Sequence, residues 1–228
     1  MKIIITGTTG MVGEGVLLEC LANPEIINVL SISRKPIGIH HSKLKEYIVP
    51  DFLTLMEADE TLKGYDACFY CAGVSSVGMK EPEYTMITYD TTLAFAKALN
   101  PKPEMTFAFI SGAGTDSSEK GRLMWARVKG KTENDLMKLP FKQVFAFRPG
   151  LMKFTEGQKN LSKTQKFMSW LYPVFNAVFP KTANTIRQLG QAMIYVAQNG
   201  FEKKIVEVSD IKVLASKPFK STSEIASG

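Results

Sequence analysis

Three glycines spaced G-x-x-G-x-x-G near the start of the chain constrain its fold more than any other feature. Gly7, Gly10 and Gly13 follow the apolar run 3–5 and open a stretch, residues 11–21, with apolar side chains at helical spacing. This order is typical of a buried parallel strand that feeds a crossover helix. Glycines here allow a tight turn, close helix–strand packing, and approach of a pyrophosphate to backbone N–H groups. The turn therefore predicts a dinucleotide-binding α/β unit.

Strand-like and helix-like segments then alternate. Predicted strands cover about residues 27–32, 44–49, 67–71, 105–110 and 143–147, and predicted helices about 52–62, 82–99 and 118–138. Such alternation indicates βαβ units, so the sequence predicts an α/β fold, a doubly wound parallel sheet of the Rossmann type. We expect residues 1–150 to form an NADP(H)-binding core. Residues 151–228 are expected to complete the same domain as a small helical cap on the substrate side, with helices about 161–179 and 184–198 and a strand about 204–208.

Charge is distributed unevenly along this chain. Its 28 Lys+Arg and 22 Asp+Glu give a formal charge of +6, and residues 1–150 contain 17 of each sign. The whole surplus therefore lies in residues 151–228. A composition of 45% hydrophobic and 22% charged residues excludes a disordered tail, a fibrous rod and a polytopic membrane protein.

The cysteines bear on the compartment. Cys20, Cys68 and Cys71 are too few for a disulfide scaffold, so we predict a reducing, cytoplasmic setting. The N-terminal apolar run is too short for a signal peptide, and the aromatic stretch 167–179 is shorter than the ~20 residues that span a bilayer. We expect neither a secretory signal peptide nor a transmembrane segment.

Cations follow the second predicted strand, where an acidic residue would hold the ribose 2′-hydroxyl of NAD. The residues there are Ser33, Arg34 and Lys35, and no acid occurs between Glu25 and Glu46. Arginine can bind a 2′-phosphate through two hydrogen bonds, whereas a carboxylate would repel it. The sequence therefore predicts NADP(H) as the preferred cofactor and NAD(H) as the alternative. A solvated loop is the other interpretation of these cations.

The turn Thr6-Gly7-Thr8-Thr9-Gly10-Met11-Val12-Gly13 resembles that of the atypical short-chain dehydrogenase/reductases, which include NmrA-like, Tat-interacting-protein-like and NAD-dependent epimerase-like proteins. Asp51-Phe52, Cys71-Ala72-Gly73, Ile110-Ser111-Gly112 and Arg148-Pro149-Gly150 extend the resemblance through residues 1–150; beyond, it holds only in outline. The resemblance implies contacts of Asp51 and Phe52 with adenine and a catalytic role for Ser111. With the cations above, the candidate cofactor-binding residues are Gly7, Thr9, Gly10, Met11, Val12, Gly13, Ser33, Arg34, Lys35, Asp51, Phe52, Cys71, Ala72, Gly73, Lys129, Pro149 and Gly150.

The chain departs from this family at the catalytic tyrosine. Members that catalyse redox chemistry carry Tyr-x-x-x-Lys on the helix after the fifth strand, and Trp125 and Lys129 occupy those places here. An indole N–H donates a hydrogen bond but does not usefully exchange a proton near neutral pH. The candidate catalytic residues are therefore Ser111 and Lys129, with Tyr89 or Tyr172 as substitute proton donors from elsewhere.

Two functions follow from this pattern. One is an NADP(H)-dependent oxidoreductase that reduces a small or apolar carbonyl substrate. The other is an NADP(H)-binding sensor or interaction protein with little or no turnover, which the missing tyrosine favours. We expect a monomer or homodimer.

Other chemistries are weakly indicated. On a strand, Cys68 and Cys71 point to opposite faces, and His40 and His41 share one polar loop, so we predict no metal site. The aromatic segment 163–181 has basic flanks, which leaves peripheral membrane contact open, although a helix lining the cleft is favoured. We expect no nucleic-acid partner, because the sequence contains no recognised nucleic-acid-binding motif.

Overall fold

The structure is a computed structural model, and it describes residues 1–56, 59–161, 170, 172–179 and 182–218. Seven of the nine strands in these ranges form one parallel sheet, in the order β3-β2-β1-β4-β5-β6-β9, and β7 pairs separately with β8. The strands are β1 (Lys2–Thr6), β2 (Asn28–Ser33), β3 (Leu44–Ile48), β4 (Ala67–Tyr70), β5 (Thr106–Ile110), β6 (Gln143–Arg148), β7 (Leu151–Lys153), β8 (Ala183–Thr185) and β9 (Ile205–Glu207).

Helices cover both faces of this sheet. The α-helices in the described ranges are α1 (Met11–Ala22), α2 (Glu81–Thr85), α3 (Thr91–Ala98), α4 (Met124–Leu136), α5 (Tyr172–Val178), α6 (Ile186–Asn199) and α7 (Val208–Ala215). A π-helical turn, Met86–Asp90, joins α2 to α3. Helices α1, α6 and α7 bury apolar side chains against one face, and α3 and α4 against the other. The predicted doubly wound parallel sheet is thereby confirmed.

The strands are apolar along their length because both of their faces are buried. In β1, Ile3 and Ile5 belong to the cluster under α1, whereas Ile4 belongs to the cluster on the opposite face. Strand β1 pairs with β2 on one side and with β4 on the other. The order of the strands therefore reverses at β1, and a crevice for a ligand opens beyond the carboxyl ends of β1 and β4.

The helix predicted over residues 52–62 is absent from the described part of that segment. Two short 3₁₀ turns, Phe52–Thr54 and Glu60–Leu62, occur instead, and residues 57–58 lie outside the described ranges. The carboxylates of Asp51 and Asp59 each accept a backbone N–H at the start of one turn. Such local capping competes with a continuous helix, which explains why the prediction was wrong.

The helix predicted over 118–138 begins later, at Met124. The Asp116 carboxylate accepts the Ser118 hydroxyl at 2.6 Å and the backbone N–H groups of Gly121 and Ser118 at 2.6 and 3.0 Å. These hydrogen bonds, that of the Ser118 hydroxyl first, lower the pKa of Asp116. They close a loop in which Glu119 has a φ of 61°. The loop packs against α4, because a Cβ on Gly130 would lie 1.8 Å from the carbonyl oxygen of Asp116. A capped loop thus replaces the first turns of the predicted helix.

Much of the C-terminal third builds the sheet. Strand β9 pairs with β6, and α6 packs on α1, as the predicted helix and strand near residues 184–208 allow. Helix α7 was not predicted. Of the helix predicted over 161–179, residues 162–169 and 171 lie outside the described ranges. Residues 172–178 form the helix α5, as predicted. No helix in the described ranges has the length and apolar character to cross a membrane.

Candidate functional site

The crevice is fixed first by the link between the ends of β1 and β4. The Thr6 hydroxyl accepts the backbone N–H groups of Cys71 and Ala72 at 3.2 and 3.1 Å. Gly7, with a φ of +70°, follows directly, and a Cβ there would lie 2.6 Å from the backbone of both residues. Only glycine fits this close approach, so the first glycine of the motif holds Cys71 and Ala72 beside the turn.

The other two glycines play different parts at the start of α1. A Cβ on Gly13 would lie 2.2 Å from the Gly7 carbonyl oxygen, whereas a Cβ on Gly10 would have only that oxygen within contact distance, at 3.4 Å. The space above Gly10 is therefore open. The backbone N–H groups of Met11, Val12 and Gly13 have no acceptor among the described residues. Free amides at the positive end of a helix bind anions, so the turn fits a pyrophosphate.

The end of β2 presents the two predicted cations. The buried Ser33 hydroxyl donates to the Lys35 carbonyl at 2.7 Å, which fixes the turn. Arg34 and Lys35 are exposed, and neither forms a salt bridge within the described ranges. Thr9 is exposed on the glycine turn, and the neighbouring Thr8 is hydrogen-bonded to Ser31 of β2 at 2.7 Å. The glycine turn and the end of β2 are thus joined directly.

Asp51 and Phe52 lie just past the end of β3. Asp51 is exposed and caps its turn by accepting the N–H of Leu53 at 2.9 Å. Phe52 is buried, and its ring centroid lies 5.2 Å from that of Phe95. The Phe52 side chain therefore serves the core, which leaves its backbone and the Asp51 carboxylate for a ligand.

Ser111 and Lys129 meet at the end of β5. The Lys129 ammonium donates to the carbonyl oxygens of Ser111 at 2.9 Å and Ile110 at 3.3 Å. Burial lowers the pKa of Lys129 to about 8, and Glu133 opposes this shift. The Ser111 hydroxyl lies 2.9 Å from that of Thr115, which donates to the Gly112 carbonyl. Ser111 therefore donates to Thr115 and keeps its lone pairs for an incoming donor.

Trp125 occupies the position of the family's tyrosine on the first turn of α4. It is half-buried, and its ring atoms lie 3.8 and 3.7 Å from where a Cβ would stand on Gly112 and Gly114. The suggested substitute Tyr89 donates its hydroxyl to Asp135 at 2.7 Å, and this bond raises its pKa to about 12. Asp135 is about 15 Å along α4 from Trp125, so Tyr89 does not replace the missing group.

Tyr172, the other suggested donor, lies on α5. Burial raises the pKa of its hydroxyl. That shift makes the phenol a weaker acid than an ordinary tyrosine, the opposite of what a proton donor near neutral pH requires.

Arg148 forms a network that sequence reasoning missed. Its guanidinium binds the fully buried Glu133 carboxylate through two hydrogen bonds of 3.0 and 2.6 Å, and it also donates to Ser117 and Glu207. Arg148 is therefore a structural residue that ties β6 to α4 and β9. The sequence placed Arg148 at the end of an apolar strand and in the Arg148-Pro149-Gly150 segment of the resemblance, and neither feature identified its partner.

Pro149 and Gly150 connect neighbouring loops. The N–H of Ala113 donates to the Pro149 carbonyl at 2.9 Å, and the N–H of Gly150 donates to the Asn184 side chain at 3.2 Å. A Cβ on Gly150 would lie 1.9 Å from the Thr182 carbonyl oxygen. These contacts hold the ends of β5, β6 and the short β7–β8 sheet together at one edge of the crevice.

A second feature that sequence reasoning missed is a loop clipped to the start of α1. The buried Glu14 carboxylate accepts the backbone N–H groups of Lys159 and Asn160, each at 2.8 Å. The Gln158 side chain donates to the Met11 carbonyl at 2.6 Å. We call residues 155–160 the clip loop. Its partners lie about 145 residues away in sequence, and only an acid between two glycines marked the position.

The cysteines and histidines form no site in the described part of the chain. Cys68 belongs to the core on one face of the sheet, and Cys71 packs against the core on the other, as predicted. Burial raises the pKa of both thiols, which makes them unreactive. No group of three or more His, Cys, Asp or Glu side chains suited to a metal occurs among the described residues.

Solved structures share this architecture. MoeE5, in a complex with UDP-glucose and NAD, superposes with a TM-score of 0.65 at 16% identity over 95% of this chain and 81% of that chain. UDP-glucuronic acid 4-epimerase from Bacillus cereus, in a complex with NAD, gives 0.63 at 13% identity over 91% and 76%. A short chain dehydrogenase family protein from Francisella tularensis gives 0.61 at 15% over 87% and 91%. The chain thus has the Rossmann fold of NAD-dependent epimerases and short-chain dehydrogenases, which confirms the resemblance at the level of the fold.

Curated relatives are more similar in sequence. The mitochondrial protein FMP52 of Debaryomyces hansenii is 27% identical over 189 residues, which cover 82% of this chain and 77% of that protein. Its namesake in Meyerozyma guilliermondii is 26% identical over 197 residues, covering 80% and 84%. No protein-family model matches the chain.

These relatives correct one prediction. The cytoplasmic setting inferred from the cysteines is wrong, because the proteins that the chain matches are named as mitochondrial. Three reduced thiols indicate a reducing environment, and a reducing environment does not by itself distinguish one compartment from another.

Proposed function

We propose that the chain binds NADP(H) at the glycine turn and reduces a small or apolar carbonyl compound. The observation that carries the proposal is the open N-terminus of α1, where three backbone N–H groups without acceptors in the described ranges stand above Gly10. Two structural neighbours with the same fold are complexes with NAD, which supports a nicotinamide cofactor. The exposed cations Arg34 and Lys35 favour the 2′-phosphate of NADP(H).

Each part of the crevice has a role in this proposal. The free amides of α1 bind the pyrophosphate, and the Asp51 carboxylate with the Phe52 backbone contacts the adenine. Gly73, with Cys71 and Ala72, lies along the cofactor at the end of β4, and Pro149 with Gly150 borders the nicotinamide side.

Proton delivery falls to Lys129 in this chain. A nicotinamide held in this crevice would supply a hydride to the carbonyl carbon, and a residue of the chain would then have to give the carbonyl oxygen a proton. With a pKa of about 8, the Lys129 ammonium is protonated at neutral pH and still acidic enough to release a proton. The lone pairs of Ser111 accept a hydrogen bond from the resulting hydroxyl.

The apolar character of the substrate is inferred from the loops around the same edge. Val74 and Val77 follow β4, Leu123 precedes α4, and all three side chains are exposed, Val77 to 87%. Exposed apolar side chains beside a crevice commonly line a binding site. They favour an aldehyde or ketone with a hydrocarbon body over a charged substrate.

One specific observation favours the second candidate function, an NADP(H)-binding sensor without turnover. Trp125 covers the Gly112–Gly114 loop at the place where the family's tyrosine would act. In such a sensor, the bound cofactor would set the conformation of residues 151–228, and Lys129 would bind the ribose without transferring a proton.

The substitution Trp125→Tyr separates the two functions. A tyrosine four residues before Lys129 restores the family's proton donor, so we expect NADPH-dependent reduction across an aldehyde and ketone panel to rise at least roughly 10-fold. Trp125→Phe is the matched control, since it changes ring size without adding a hydroxyl. No gain in Trp125→Tyr across the panel, together with no turnover by the unaltered protein, would reject the reductase and leave the sensor.

A further inference from the structure

We infer that Lys159 of the clip loop binds the pyrophosphate of the dinucleotide, and that Glu14 and Gln158 position it there. The inference rests on the proposed function, because it requires a dinucleotide at the glycine turn. It assigns a binding role to part of the basic C-terminal third, which the family's sequence motifs do not reach.

Two anchors hold the clip loop along the first turn of α1. Gln158 bonds to the carbonyl of Met11, the first residue of the helix, and Glu14, the fourth residue, accepts two successive backbone amides of the loop. Glu14 is only 1% exposed, so its carboxylate is committed to those amides. The backbone of Lys159 is therefore fixed beside the helix end that faces the proposed pyrophosphate.

The distances suit a lysine at this position. Met11 and Glu14 are about 4.5 Å apart along the helix axis. The Lys159 backbone N–H lies 2.8 Å from the Glu14 carboxylate, and the flexible four-carbon stem of lysine is longer than this axial rise. The Lys159 side chain is exposed, and no carboxylate in the described ranges forms a salt bridge with it.

The glycine turn itself contains no cation that could bind a pyrophosphate. Residues 6–15 contain no lysine or arginine, and they contain one acid, Glu14. A bound pyrophosphate would thus meet the dipole of α1 and a nearby carboxylate, with no positive side chain from the motif itself. Lys159 offsets the charge of Glu14 and adds a charge-assisted hydrogen bond to the phosphate oxygens.

Gly15 explains how the loop comes so close. A Cβ on Gly15 would lie 2.9 Å from the Gln158 side-chain oxygen and 2.3 Å from the Ile186 side chain. In the sequence Gly13-Glu14-Gly15, Gly13 therefore packs closely on the glycine turn, Glu14 anchors the clip loop, and Gly15 leaves space for that loop.

The substitution Lys159→Gln tests the inference by fluorescence titration with NADPH and with NADH. Both cofactors carry the pyrophosphate, so we expect both affinities to fall by roughly five- to tenfold, with their ratio unchanged. The loss should shrink at high salt, because an exposed cation is screened. Lys142→Gln is the matched control. Lys142 is an exposed lysine just before β6, at the amino ends of the strands and away from the crevice, so this variant should leave both affinities unchanged.

The role of Glu14 is tested in the same assay. Glu14→Gln should weaken binding by releasing the loop, and adding Lys159→Gln to it should cost little more, because the two residues act as one unit. Affinities of Lys159→Gln within twofold of the unaltered protein would overturn the inference, and fully additive losses would overturn the positioning role of Glu14. If the unaltered protein binds neither cofactor, the proposed function itself fails.

Discussion

Lys129 is the residue to which we assign the proton transfer that a tyrosine performs in related enzymes. The Lys129 ammonium lies between two backbone carbonyls at the end of β5, in a buried setting that lowers its pKa to about 8. Burial disfavours the charged form, so this lysine can lose its proton in a range where ordinary lysines cannot. The proposed proton transfer by Lys129 depends on this lowered pKa.

Lys129 sets the expected pH dependence of reduction. A proton donor must be protonated, so the rate at saturating NADPH should be level below pH 8 and fall as the pH rises through the pKa of about 8. Single-turnover oxidation of NADPH, followed by absorbance, measures it. Lys129→Met should lose both the pH dependence and at least roughly 100-fold in rate. A rate that stays level to pH 10 would assign the proton to another group.

The role of a single residue can be predicted from the sequence where only one residue type fits the backbone. Gly7 and Gly13 could be predicted, because only glycine permits their backbone contacts. The partners of Arg148 and Glu14 could not, since those hydrogen bonds join segments 15 to 146 residues apart and carry no local pattern.

At the scale of elements, strand β1, the glycine turn and helix α1 form one unit with two kinds of glycine. Gly13 packs against the turn itself, whereas the space above Gly10 is open. A side chain at position 13 should therefore destabilise the fold, whereas a side chain at position 10 should weaken ligand binding.

The pair Gly10→Val and Gly13→Val tests this difference. Gly10→Val should keep a melting temperature close to that of the unaltered protein and lose NADPH binding, because its side chain fills the pyrophosphate space. Gly13→Val should fail to fold or unfold at a markedly lower temperature, because its Cβ would lie 2.2 Å from the Gly7 carbonyl oxygen. Thermal denaturation and NADPH titration measure the two effects. Unchanged NADPH affinity in Gly10→Val would remove the ligand from this turn.

The two errors in predicted elements have a common cause. Apolar spacing favoured helices over 52–62 and from residue 118, but Asp51, Asp59 and Asp116 bind nearby backbone amides and close short turns instead. Hydrophobic periodicity does not register such local competition, whereas it correctly predicted the strands, whose two buried faces leave continuous apolar runs.

At the scale of the whole molecule, the C-terminal third is part of the sheet as well as a neighbour of the site. Strand β9 extends the sheet beside β6. Arg148 joins β6 to α4 through the buried Glu133 and to β9 through the half-exposed Glu207. Among the cations of residues 151–228, Lys159 is the one to which we assign a binding partner.

Removing one member of the buried pair should destabilise the whole fold. Glu133→Gln removes the buried carboxylate that binds Arg148 through two hydrogen bonds and leaves only the half-exposed Glu207 as its countercharge, so we expect the free energy of unfolding to fall by about 3–5 kcal/mol. Glu81→Gln is the control, because it breaks an exposed pair with Arg127 and should cost less than about 1 kcal/mol. Urea denaturation measures both. Equal losses for the two variants would contradict a structural role for the Arg148 network.

Titration with NADPH and NADH tests whether the glycine turn and the end of β2 together bind NADP(H). We predict saturable binding of NADPH in the micromolar range or tighter, at least roughly 10-fold stronger than that of NADH, with the difference lost in Arg34→Gln because the 2′-phosphate loses its partner. Equal affinities for the two cofactors would contradict the role of Arg34. Absence of saturable binding by either would contradict the account as a whole.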